Sequence, residues 1–121
     1  MIINKSNNEI ISKKEIVCKN PLSWTLGLMF RPRTNALFIF PKIRKIYLHN
    51  FFVFYPLDLI ILDEKKQVIE YKTKFKSFSL WDSITRGKYL IELGKNRINN
   101  KIKIGDILEF SAFAKIGRAH V

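Results

Sequence analysis

The sequence predicts an all-β domain, an antiparallel sandwich or barrel with one short helix, and three observations lead there. Short apolar runs alternate with polar turns along the chain, which is the spacing of such folds. No internal repeat or low-complexity tract suggests a solenoid or a tail. At 121 residues, with 47% apolar and 26% charged side chains, the chain can bury one core and is too short for two.

Met1 to Asn4 and Ile10 to Cys18 read as strands around the turn Ser6-Asn7-Asn8. Asn20 as N-cap and Pro21 in the first turn then begin a helix over Pro21 to Phe30. Leu22, Leu26 and Met29 follow at helical spacing, and Pro32 bars continuation beyond Arg31. Trp24 lies on this helix as a core residue. Ala36 to Phe40 is a strand of buried type closed by Pro41. The most apolar stretch, Ile46 to Leu62, contains His49, Asn50, Pro56 and Asp58. Those residues argue against a membrane span and for two core strands broken near Tyr55-Pro56.

Asp63-Glu64-Lys65-Lys66 is a polar hairpin turn from which Gln67 to Phe75 returns. On that returning strand Lys72 and Lys74, continued by Lys76, share one face, and Tyr71, Thr73 and Phe75 the other. Ser77 to Arg86 reads as a loop in which Phe78 and Trp81 form either a ligand platform or a plug over a sheet end. Lys88 to Leu93 and Ile107 to Phe113 complete the strands, with Gly94 and Gly105 as turn formers.

Cys18 is the only cysteine, which excludes an internal disulfide and a disulfide-stapled secreted scaffold. The N-terminus turns polar before the apolar segment of a signal peptide could form, so the cytosol is the expected compartment. A formal charge of +12 points to polyanions, but the wealth of Ile, Lys, Asn and Phe also follows from AT-rich codons. The expected consequence is weak, salt-sensitive, sequence-blind attachment to nucleic acid. Ile116-Gly117-Arg118-Ala119-His120-Val121 is what ATC GGA AGA GCA CAC GTC encodes, the string of a common sequencing-library adapter. Residues 1–115 are therefore taken as the native domain and 116–121 as a foreign tail.

Gly27-Leu28-Met29-Phe30-Arg31 followed by Ala36-Leu37-Phe38-Ile39-Phe40 resembles the "GLMxR … LxFxF" opening of domain of unknown function 192, also called uncharacterised protein family 0127. His49-Asn50-Phe51-Phe52-Val53-Phe54-Tyr55-Pro56-Leu57-Asp58 is similar to its archaeal motif "HMFFVFFPID", with Asn50 where the family form has Met. Tyr89-Leu90-Ile91-Glu92-Leu93 and Gly105-Asp106-Ile107-Leu108-Glu109-Phe110 resemble the closing "YVIEL … GDxIEF". The Trp-Met-Lys-Asn run of bacterial members is missing. The resemblance implies a small jelly-roll-type β-sandwich with little helix, and it implies no activity.

The chain has no P-loop, dinucleotide fingerprint, HExxH or GxSxG. Cys18 and His49 cannot build a metal cluster without several carboxylates, so neither metal nor cofactor is expected, and Cys18 reads as a free buried thiol. Asp58 opens the apolar run Leu59-Ile60-Ile61-Leu62, where a carboxylate is costly unless paired. Arg31, the polar residue of the other motif, is its natural partner. Asp58 either ties a turn to the sheet or lines one pocket with Arg31 and His49. The overall reading is a module of unknown role that is non-enzymatic or binds a ligand weakly. One rival is nucleic-acid binding through Lys72, Lys74 and Lys76, with Arg33, Lys42, Arg44 and Lys45. The other is an enzyme with Asp58 as acid or base.

Overall fold

Every regular element among the described residues is a strand. The computed structural model describes residues 1–20 and 27–110. Its strands are β1 Ile2–Asn4, β2 Glu9–Ser12, β3 Ile16–Cys18, β4 Asn35–His49, β5 Leu57–Leu62, β6 Val68–Phe75, β7 Leu80–Leu93 and β8 Leu108–Phe110. They form a three-stranded sheet, order β2-β1-β8, and a five-stranded sheet, order β3-β4-β7-β5-β6. No helix of the described residues is long and apolar enough to cross a membrane.

The inner strand β5 is buried at all six residues, which is why it reads as an apolar run interrupted by Asp58 alone. Leu57, Leu59 and Ile61 join a first core cluster with Phe38, Phe40 and Leu90. Ile60 and Leu62 join a second with Leu37, Ile91 and Leu93. That second cluster also contains Ile2, Ile11, Leu108 and Phe110, so it holds the two sheets together. The first cluster is completed by Leu28, Val53 and Tyr55 from connecting segments.

Several expectations need correction. The sheets are not wholly antiparallel, because β3 runs parallel to β4 with Ile16 opposite Ala36. Residues 27–30 of the expected helix form turns, with Gly27 at φ 44° and Phe30 at φ 60°, so the GLM segment is not helical. The rest of that helix, with Trp24, lies outside the described residues, as does the tail 116–121. Ile10 to Cys18 is two strands, β2 and β3, separated by Lys13 to Glu15.

Pro41 does not end its strand. β4 continues to His49, and its pairing with β7 lapses between Ile39 and Arg44, so the missing N–H falls where no ladder bond is needed. Ser77 to Arg86 is mostly strand, because β7 begins at Leu80 and carries Trp81 opposite Leu48. In β6 the register slips between Leu57 and Leu59, with Lys74 at φ 57°. This bulge breaks the period of two, so Lys72 lies opposite Leu59 on the first cluster's face and is out of phase with Lys74.

Gly94 ends β7 where two backbones nearly touch. Its N–H donates to the Thr34 carbonyl at 3.1 Å. A Cβ there would stand 2.5 Å from both that oxygen and Tyr55 Cε1. The ring cannot swing away freely, because Tyr55 donates its hydroxyl to the Pro32 carbonyl at 2.8 Å. Gly94→Ala is expected to cost about 1–3 kcal/mol of unfolding free energy by urea titration. An unchanged midpoint would show that this junction yields at no cost.

Candidate functional site

Asp58 and Glu92 are carboxyl groups placed by the sheet in its apolar interior, and their surroundings differ. Asp58 is the second residue of β5, opposite Leu93, and is 2% exposed. Its Oδ1 accepts the Lys74 N–H at 3.0 Å and its Oδ2 the Ile98 N–H at 2.8 Å. Arg97 Nη1 lies 3.7 Å from Oδ1 and donates to the Pro56 carbonyl at 3.3 Å. Two backbone donors and a guanidinium therefore offset the desolvation of this carboxylate. The arrangement ties the start of β5 to the bulge of β6 and to the segment after β7. Beside it runs a groove of about 690 Å³ bordered by Tyr71, Thr73, Lys74, Lys76 and Arg97.

Glu92 faces the first cluster from the middle of the sheet, opposite Ala36 of β4 and Leu59 of β5. Its carboxyl makes no hydrogen bond or ion pair with any described residue. Burial pushes its pKa from 4.5 up to about 8. Nearby Cys18 is raised to about 11, first by burial and then by the Glu92 charge, with Arg31 acting the other way. Tyr55 is also raised, mainly by burial.

Glu92 lies in the wall of a cavity of about 290 Å³ whose other walls include Leu28, Met29, Phe38, Leu48, Val53 and Leu90. Asn50 lines it too and is fully buried. Its Nδ2 donates to the Phe75 carbonyl at 3.1 Å and the Tyr55 carbonyl at 3.4 Å, while its Oδ1 has no partner. The Asn50 backbone accepts from the Phe78 N–H and donates to the Ser79 carbonyl. These bonds hold Phe78 beside Phe51, Phe52 and Phe54, with ring centroids 6.1–6.3 Å apart. Phe52 also stacks on Phe30 at 5.0 Å.

Arg31, His49 and Asp58 do not meet. Asp58 borders the groove and has Arg97, not Arg31, as its guanidinium. His49 is exposed, lines the cavity and stacks on Phe51 at 5.1 Å. Arg31 is exposed in the loop before β4. Trp81 packs against the first cluster from strand β7, whereas Phe78 stands in solvent at φ 59°. Lys74 and Lys76 share the groove, and Lys72 is absent from its walls. Among the described residues no group of three or more His, Cys, Asp or Glu could hold a metal ion. Sequence reasoning met Glu92 and Asn50 as motif residues and did not single them out as site residues. The available signal was a carboxylate inside Leu90-Ile91-Glu92-Leu93, with Asn50 in place of an apolar motif residue.

Asp58→Ala would leave two backbone amides and Arg97 without their acceptor. It is expected to cost about 2–4 kcal/mol in denaturant unfolding, and a wild-type curve would remove Asp58 from the list of fold determinants. For Glu92 the sign is opposite to that of a paired carboxylate. Between 4.5 and about 8 the folded chain keeps its proton while the unfolded chain releases it. Stability therefore falls as pH rises through that window, by at most about 1.4 kcal/mol per pH unit. Glu92→Gln is expected to flatten this fall and to be the more stable protein at pH 9. Parallel stability–pH curves would show that the carboxyl is not desolvated.

The comparisons with known proteins agree with the motif order. The family model DUF192, described as "Uncharacterized ACR", matches residues 2–110. The chain is 31% identical over 106 residues to a UPF0127 protein of Pyrococcus horikoshii, covering 85% of this chain and 90% of that one. It is 29% identical over 115 residues to a UPF0127 protein of Pyrococcus abyssi, covering 91% and 97%. A candidate transcription regulator of Sinorhizobium meliloti 1021 has a similar fold, with TM-score 0.76, 21% identity and coverage of 89% and 88%. A protein of unknown function from Novosphingobium aromaticivorans DSM 12444 is similar at TM-score 0.69, 17% identity and coverage of 78% and 72%. These two likenesses concern the fold alone. With a family match running from β1 to the end of β8, the chain belongs to the uncharacterised DUF192 family.

Proposed function

We propose that this domain binds a small, largely apolar molecule in the Glu92 cavity without transforming it. The observation that carries this reading is a pocket of about 290 Å³, open on the side of Arg44, Tyr47 and His49, whose inner wall is mostly apolar and includes the Glu92 carboxyl. A preformed, mostly apolar pocket with few polar groups is the usual form of a small-molecule site. Most of its described wall comes from segments that carry the family resemblance: Gly27 to Met29, Phe38 and Phe40, His49, Asn50, Val53 and Leu57, and Leu90 with Glu92. An acid–base role for Asp58 is disfavoured because both its oxygens already accept backbone N–H groups. Cys18, with its raised pKa, is held as the poorly nucleophilic thiol.

In this reading the two sheets form a jelly-roll-like sandwich, residues 1–115 are the native domain, and the protein works in the cytosol. The lysine-rich coat, including Lys74 and Lys76 at the groove, adds sequence-blind attachment to nucleic acid that fades with salt.

The neutral probe N-phenyl-1-naphthylamine is expected to brighten on binding wild-type protein. Met29→Trp, which fills the cavity from a half-buried wall position, is expected to weaken that binding at least tenfold while leaving far-ultraviolet circular dichroism unchanged. No brightening with the wild type, or equal brightening with the filled variant, would refute the proposal.

A further inference from the structure

Resting on the cavity reading above, we infer that the ligand is a lipophilic amine whose ammonium group is held by the Glu92 carboxylate. Glu92 lines the cavity, and no described cation forms an ion pair with its carboxyl. A hydroxyl could satisfy one acceptor, but an ammonium supplies three donors and the charge that an ionised Glu92 lacks.

The charged groups around Glu92 are few. Cys18 faces it from β3, and its raised pKa keeps the thiol neutral. Arg31 lies in the loop before β4 and Tyr55 in the loop before β5. Arg44, in the cavity wall, is turned over the Phe40 ring at 5.4 Å and donates its Nε to the Lys45 carbonyl. His49 is engaged with Phe51.

Because free Glu92 titrates near 8, capture of an ammonium at lower pH must expel its proton. Affinity for an amine should therefore rise about tenfold per pH unit from 6 to 8 and level off before the amine itself deprotonates. Affinity for a neutral alcohol of the same chain length should not follow that course.

The test is an NMR titration of the full chain with n-hexylamine and with 1-hexanol at pH 6, 7 and 8.5. The expected result is a preference for the amine of at least tenfold at pH 8.5, growing with pH as stated. In Glu92→Gln, checked for native spectral dispersion, the ratio should collapse to about one. Hexanol binding without amine preference, or a preference that survives in Glu92→Gln, would overturn the amine inference and leave the cavity reading standing. Binding of neither compound, together with failure of the naphthylamine probe, would overturn both.

Discussion

The constraint on which the rest depends is that β5 and the last four residues of β7, Leu90 to Leu93, are buried on both faces inside the five-stranded sheet. A polar group placed there must find a partner inside the protein or lose its charge. Asp58 and Glu92 meet this demand in different ways. Asp58 lies at a strand end, where the bulge at Lys74 and the segment at Ile98 can each turn an N–H inward. Glu92, next to last in β7, is paired on both sides, with Ala36 of β4 and Leu59 of β5, and no N–H of a described residue turns to its carboxyl. One carboxylate becomes a structural tie, and the other becomes the only acid among the described residues of a cavity wall.

The same constraint explains the irregular backbone around the cavity. Phe30, Phe52 and Phe78 all have positive φ, an uncommon conformation for a bulky side chain. Asn50 holds two of the segments together by bonding to Phe78 and Ser79 through its backbone and to Phe75 through its side chain. Phe30 joins through its N–H to the Phe52 carbonyl at 2.8 Å. The apolar residues of the 50–56 loop are thereby split: Val53 and Tyr55 go into the core, and Phe51, Phe52 and Phe54 stay outside. Asn50 is therefore both a fastening of the loops and a source of the unpartnered oxygen.

Much of the fold was legible because strand periodicity survives in short apolar runs. Leu57 to Leu62 and the Asp63 to Lys66 turn could be read directly, since a strand buried on both faces leaves little ambiguity. The length of β4 and β7 was not legible. Beyond Phe40 and before Lys88 these strands leave the core and carry Lys42, Arg44, Lys45, Asp82 and Arg86, so their composition resembles a loop. The bulge at Lys74 was hidden as well, because bulges depend on strand pairing and leave no mark on composition. Asp58 stood out as a polar residue opening an apolar run. Its partner did not, because Arg97 lies 39 positions away and outside every motif that was compared. Glu92 was harder still, since one glutamate in a strand is unremarkable until both faces of that strand are known to be covered.

The abundance of positive charge sharpens the meaning of that glutamate. The chain carries 22 lysines and arginines, yet none of those described forms an ion pair with Glu92. Lysine and arginine heads avoid an apolar interior, and the long side chains near this cavity keep theirs at its edge, as Arg44 does over Phe40. A cation introduced as part of an apolar ligand faces a different balance, since burial of its hydrocarbon portion can offset the cost of bringing the charge inside. A basic protein is thus able to repel small inorganic cations at its surface and still favour a lipophilic one in its interior. Recognition then rests on the pairing of apolar surface with one charge, neither of which is sufficient alone.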